Sequence, residues 1–132
     1  MPKTCPTPKL VIFDCDGVLV DSERPSNQVL VDNLARHGLV LTLEQSMSHF
    51  VGGTMDGVMQ KARRMGADLP SNWVTEIYAE TYARLKAGVP LISGITDLLA
   101  RLDAQGIPTR VASNGSEEKM RITLGQNGLW QR

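Results

Sequence analysis

Four apolar residues in a row, Leu10-Val11-Ile12-Phe13, stop abruptly at Asp14-Cys15-Asp16-Gly17, and this boundary constrains the chain more than any other feature. An unbroken apolar run without alternation predicts a strand covered on both faces, as in a parallel sheet. The polar, glycine-containing stretch after it then falls at the carboxyl end of the strand, where open α/β sheets place their ligand sites. A second boundary of the same kind lies downstream. Ile107 to Ala112 reads as a strand, with Pro108 tolerable only near its beginning, and leads into Ser113-Asn114-Gly115-Ser116.

Between the two boundaries the pattern is helical. Leu30, Val31 and Leu34 give one apolar face to a helix predicted from about Ser26 to His37, with Gly38 as its stop. Thr42-Leu43-Glu44-Gln45 has the form of a capping box and predicts a second, short helix. Gly52-Gly53 breaks the pattern, a third helix follows Thr54 and stops at Gly66, and a fourth runs from Ser71 to Gly88. Ile95, Leu98, Leu99 and Leu102 recur at helical spacing on one predicted face, and a last helix spans about Glu117 to Leu124. The plan is strand, helical insertion (about Ser22 to Gly88), helix, strand, helix. A right-handed crossover sets the two strands parallel.

Charge and cysteine usage narrow the partners. Fourteen basic and fourteen acidic side chains cancel and no stretch is densely basic, which argues against nucleic acid as a partner. Cys5 and Cys15 have no zinc-like or Cys-x-x-Cys spacing and read as two reduced thiols of a cytosolic protein. No segment approaches the roughly 20 apolar residues that span a bilayer. The stretch from Met1 to Lys9 leads into too short an apolar run for a secretion signal. The expected location is the cytoplasm, with no membrane attachment.

Asp14 and Asp16 lie two residues apart where the chain leaves a buried strand, so both carboxylates converge on one small volume. Two like charges that close are costly unless a cation or a proton compensates. Magnesium, which takes hard oxygen ligands and leaves positions for phosphate oxygens, meets that need. One carboxylate can then attack phosphorus while the other, protonated, delivers a proton to the leaving oxygen. Gly17 lets the chain turn sharply and lets backbone N–H groups approach an anion. Taken alone, the pair reads more readily as a solvated turn or a helix cap, and Ser-Asn-Gly alone as a plain turn.

The longer string Asp14-Cys15-Asp16-Gly17-Val18-Leu19-Val20-Asp21-Ser22-Glu23 resembles the first motif of the haloacid dehalogenase superfamily, in its subfamily of small phosphatases and sugar-phosphate mutases. The resemblance extends over essentially the whole chain: motif, helical cap, the re-entry segment Pro90 to Gly94, and the second strand with Ser113-Asn114-Gly115. It implies an α/β fold with a Rossmann-like core at residues 1–21 and 89–132 and an inserted helical cap at residues 22–88. By position, Asp14 corresponds to the nucleophile that becomes an aspartyl phosphate. Asp16 corresponds to the general acid and base, and Asp14 and Asp16 are both placed at a magnesium ion, Asp16 through its main-chain carbonyl. Ser113, with the backbone of Asn114 and Gly115, corresponds to the second motif that holds the phosphoryl group, and the helix after it favours an anion there. The cap excludes water and selects the substrate, with Gly52-Gly53-Thr54 at the position of a specificity loop; a plain helix stop is the other reading of that triplet. The implied partner is a small phosphorylated metabolite.

Other residues read as structural. Arg63-Arg64 reads as a solvated face, His37 and His49 as surface or packing residues, and Trp73, Tyr78 and Tyr82 as core.

The resemblance also implies a lysine and an acidic pair further downstream, and neither is found before Arg132. Lys119, the only lysine after the second motif, comes too early in the chain to be equated with that lysine. The expectation is a piece of a protein of roughly 220 residues, acting as a magnesium-dependent phosphatase. A β-phosphoglucomutase-like isomerase is the first alternative, weakened because the histidine of its first cap helix aligns with Ser26. A truncated, non-catalytic chain that binds phosphate is the second. A dehalogenase has no use for the second aspartate.

Overall fold

The computed structural model describes residues 4–50 and 52–130. Met1 to Lys3, where the N-terminal stretch begins, and the final Gln131 and Arg132 lie outside the described residues. Among those described there are two strands and six helices, in the order β1 (Val11–Phe13), α1 (Glu23–Arg36), α2 (Leu43–Phe50), α3 (Met55–Arg64), α4 (Trp73–Lys86), α5 (Ile95–Ala104), β2 (Thr109–Val111) and α6 (Glu117–Gly125). The chain forms two compact units, one from residues 1–21 with 90–132 and one from residues 22–89. Among the described residues no helix is long and apolar enough to cross a membrane.

The first unit is α/β. Its strands run parallel with Val11 opposite Thr109 and Phe13 opposite Val111. The ladder continues past both ends, through Val11 N–H to Pro108 O at 3.1 Å and Ala112 N–H to Phe13 O at 2.8 Å. Pro108 sits where its missing N–H costs nothing, at the start of the strand, and contributes only its carbonyl. α5 buries Ile95, Leu99 and Leu102, but Leu98 is 41% exposed, so the apolar stripe is narrower than the spacing predicts.

Among the described residues β1 is not covered on both faces. Phe13 is buried, whereas Ile12 is 62% exposed. Successive side chains of a strand point to opposite faces. The Phe13 side faces a groove also lined by Leu19, Leu99, Val111 and Leu124, whereas Ile12 is exposed on the opposite side. An apolar run records what a strand is able to bury; what covers it depends on neighbours elsewhere in the sequence.

The second unit is helical. α1 starts at Glu23, three residues before the predicted Ser26, because Pro25 falls in the first turn, where backbone N–H groups have no intrahelical partner and a proline loses nothing. The capping box is complete: Gln45 N–H donates to Thr42 Oγ1 at 3.1 Å and Thr42 N–H to Gln45 Oε1 at 2.9 Å. Leu30, Leu34, Phe50, Val58, Ala62, Trp73 and Ile77 form the core of this unit. Tyr78, expected in that core, is 42% exposed and stacks obliquely near Tyr82, with ring centroids 5.9 Å apart. Arg63 and Arg64 are both exposed, as a solvated face requires, and the Arg63 guanidinium also donates to Leu69 O at 2.9 Å, which ties down the loop before α4.

Candidate active site

Because β1 and β2 are parallel neighbours, the chain leaves both on the same edge of the sheet, and the loops after them lie side by side. Asp14 opens the first loop, exposed, and its Oδ1 accepts the N–H of Cys15 at 2.7 Å. Cys15 turns inward and is buried, and Asp16 is half-buried beside it. The chain then reverses. Gly17 takes a φ of +76°, in the left-handed region that favours glycine, and donates its N–H to Val20 O at 2.8 Å. That donor is occupied within the turn, so the turn itself is the contribution of Gly17. Leu19 O accepts from Ile92 N–H at 2.9 Å and Asp21 N–H donates to Pro90 O at 2.9 Å, anchoring the far end of the loop to the re-entry segment.

The second loop closes on the first. Ser113 Oγ accepts the N–H of Gly115 at 3.0 Å, which leaves the hydroxyl proton to be given elsewhere. Gly115 presents a bare face to the first loop. A Cβ there would lie 3.3 Å from Ser113 Oγ and 3.4 Å from Asp16 Oδ2. Asn114 is exposed between them. Ser116 caps α6 by accepting the N–H of Lys119 at 3.1 Å.

α6 meets the first loop through one face. Lys119 Nζ lies 3.3 Å from Asp16 Oδ2, and Thr123, one turn on and fully buried, has its Oγ1 3.9 Å from Cys15 Sγ. Burial pushes the Cys15 thiol above its ordinary value of 9.0, and the neighbouring carboxylates of Asp16 and Asp14 push it further. Thr123 and Lys119 pull the other way.

Residues 11–132 match the family of haloacid dehalogenase-like hydrolases. The chain belongs to that family. It is 30% identical over 118 residues to the 6-phosphogluconate phosphatase of Escherichia coli (strain K12), covering 88% of this chain and 52% of that protein. It is 30% identical over 110 residues to the phosphoglycolate phosphatase of Yersinia pseudotuberculosis, covering 79% and 47%. Among solved structures, a haloacid dehalogenase-family hydrolase from Deinococcus radiodurans R1 with bound phosphate and sodium superimposes with a TM-score of 0.75 at 31% identity, over 93% of this chain and 54% of that one. The chain thus spans about half the length of the relatives it matches.

Of the residues singled out from the sequence of this haloacid dehalogenase-like chain, Asp16, Ser113 and Gly115 are brought together and Asp14 opens the same loop. Gly52, Gly53 and Thr54 belong to the helical unit, where all three are exposed. Gly53 N–H donates to Phe50 O, and Thr54 caps α3 by accepting the N–H of Gly57 at 3.1 Å, so the triplet ends one helix and starts the next.

Among the described residues no third acidic, histidine or cysteine ligand joins Asp14 and Asp16 into a metal-binding group. The donor chemistry nevertheless suits magnesium, a hard cation held by one or two carboxylates that completes its shell with water and phosphate oxygens; exposed Asp14, at the mouth of the loop, would be the carboxylate to hold it.

Sequence reasoning set Lys119 aside by its position in the chain. The signal that finds it is the Ser116 cap. A side chain in the first turn of a helix leans toward the N-terminus, and so reaches back over the loop that precedes it.

Proposed function

We propose that this chain carries the nucleophile and phosphate-binding loops of a magnesium-dependent phosphoric monoester hydrolase. The observation that supports it is the closure of the second loop on the first, with the Gly115 face against both Asp16 Oδ2 and Ser113 Oγ. That arrangement leaves one carboxylate exposed for attack, a second beside it for proton transfer, and a hydroxyl able to donate to a phosphoryl oxygen.

In this reading Asp14 attacks phosphorus. A bond forms between its carboxylate oxygen and phosphorus as the ester P–O bond breaks, and protonated Asp16 gives its proton to the leaving oxygen. Water then attacks the aspartyl phosphate, Asp16 takes the water proton, and Asp14 is released with inorganic phosphate. Ser113 orients the phosphoryl group by hydrogen bonding. Asp14 and the main-chain carbonyl of Asp16 would hold magnesium, which would offset the negative charge gathered on the phosphoryl oxygens. The helical unit, residues 22–89, is assigned the part of a cap that excludes water and selects substrate, with Gly52, Gly53 and Thr54 as its candidate specificity loop. Two of the relatives are phosphatases named for phosphogluconate and phosphoglycolate, both small acids bearing a carboxylate as well as a phosphate. Phosphorylated small acids are therefore the substrate class to screen first.

The test is release of inorganic phosphate from a panel of such esters with magnesium present, by the full chain and by Asp14→Asn. Turnover in the parent and none in the variant supports the reading. Equal release by both places any hydrolysis elsewhere and sinks it.

A further inference from the structure

A lone ion pair at a protein surface stabilises little. The pair between Lys119 and Asp16 is not of that kind, since both side chains are only 23% exposed. The ammonium reaches the carboxylate over Gly115: the Cβ that glycine lacks would stand 3.7 Å from Lys119 Cδ and 3.4 Å from Asp16 Oδ2. α6 is also held in register with the loop at a second point, where buried Thr123 meets buried Cys15 one turn on from Lys119. Two neighbouring carboxylates call for positive charge. Here the helix after the second loop supplies some of it.

We propose that Lys119 is a positioning residue, whose ammonium holds the Asp16 carboxylate in place across the bare face of Gly115. Its role is exerted through Asp16, with no contact to substrate. The Asp16 carboxyl group exchanges protons with the leaving oxygen and with the attacking water in the reaction proposed above, so its orientation bears on both steps. Removing the charge takes away the hold on the carboxylate from the α6 side, so a proton-transfer step slows while substrate binding is retained.

The kinetic part of the test rests on the hydrolase reading; the spectroscopic part does not. Full-length parent, Lys119→Met and Lys119→Arg are compared at one fixed pH, with thermal melting to establish that each is folded. In protein labelled with carbon-13 at its aspartate carboxyl groups, Lys119→Met shifts the Asp16 resonance, leaves that of Asp21 in place, and Lys119→Arg returns it toward the parent. An unmoved Asp16 resonance overturns the proposal. With p-nitrophenyl phosphate and magnesium, Lys119→Met lowers kcat by about tenfold while KM stays within about twofold, and the arginine variant recovers most of the loss. A change confined to KM would make Lys119 a substrate contact and also overturns it, as does an unchanged kcat in an active parent. A parent with no turnover defeats the hydrolase reading alone, and the carboxyl resonance then decides the role of Lys119.

Discussion

Trp73 Nε1 donates to Asn33 Oδ1 at 2.7 Å inside the helical unit, and neither side chain is exposed to solvent. The same asparagine sends its Nδ2 to Glu76 at 3.2 Å and Glu80 at 2.9 Å, so one buried amide joins α1 to α4 by three hydrogen bonds. Arg36 pairs with Glu80 and His37 with Glu76 along the same seam. A buried polar group stabilises only while its partners are in place.

Trp73→Phe keeps most of the apolar contact and removes the donor, leaving Asn33 Oδ1 buried and short of a partner. The expected cost is about 1–3 kcal/mol. Urea unfolding followed by circular dichroism measures it. A loss below about 0.5 kcal/mol, the size of an ordinary surface change, would mean that the hydrogen bond contributes nothing.

The seam also carries a pH dependence. Hydrogen bonding from His37, and then from Asn33, holds the Glu76 carboxyl below its ordinary value of 4.5. A depressed native value means that the unfolded chain takes up the proton first as pH falls. The stabilisation is therefore present above about 4.5 and is lost as pH falls through the lower native value. Melting temperatures of the parent and Glu76→Gln should differ at pH 6 and converge toward pH 3.5. A gap of the same size at both values would contradict the assignment.

The two thiols should separate chemically. Cys5 is exposed, whereas Cys15 is 1% exposed with its thiol pushed up by burial, and it is the thiolate that reacts. Iodoacetamide at pH 8 should modify Cys5 rapidly and reach Cys15 only in denaturant, as read by peptide mass. Rapid native labelling of Cys15 would show that the loop after β1 opens freely.

These relationships differ in how far the sequence discloses them. A cap such as Thr42 with Gln45 is local, its partners lie three residues apart, and the pattern alone specifies it. The turn after Phe13 is local too, and Asp14-x-Asp16-Gly17 announces it. The burial of β1 is not local: the same apolar string serves a strand covered twice or once, and Ile12 ended up exposed. The start of α1 was obscured by Pro25, which breaks a helix interior but is neutral in a first turn. The site divides along the same line. Asp14, Asp16 and Ser113 follow from strand ends brought together by parallel pairing, whereas Lys119 takes its place from the tilt of a first-turn side chain, a three-dimensional fact that spacing along the chain conceals.

Gly115 offers the sharpest check on the meeting of the two loops. Added to it, a methyl group would sit 3.3 Å from Ser113 Oγ, closer than such contacts ordinarily run, and 3.4 Å from Asp16 Oδ2. Something must give by a few tenths of an ångström, and the groups at hand are those assigned to phosphate binding and proton transfer. Gly115→Ala should lower kcat/KM by about tenfold, equivalent to about 1.4 kcal/mol of transition-state stabilisation, while melting stays close to the parent. Gly125→Ala is the matched control. It lies in the same helix-bearing segment, with nothing within 4 Å of its added carbon, and alanine suits a helix better than glycine. Should the two variants lose activity equally, the closeness of Gly115 to Asp16 has no bearing on turnover, and the site must be organised around other groups.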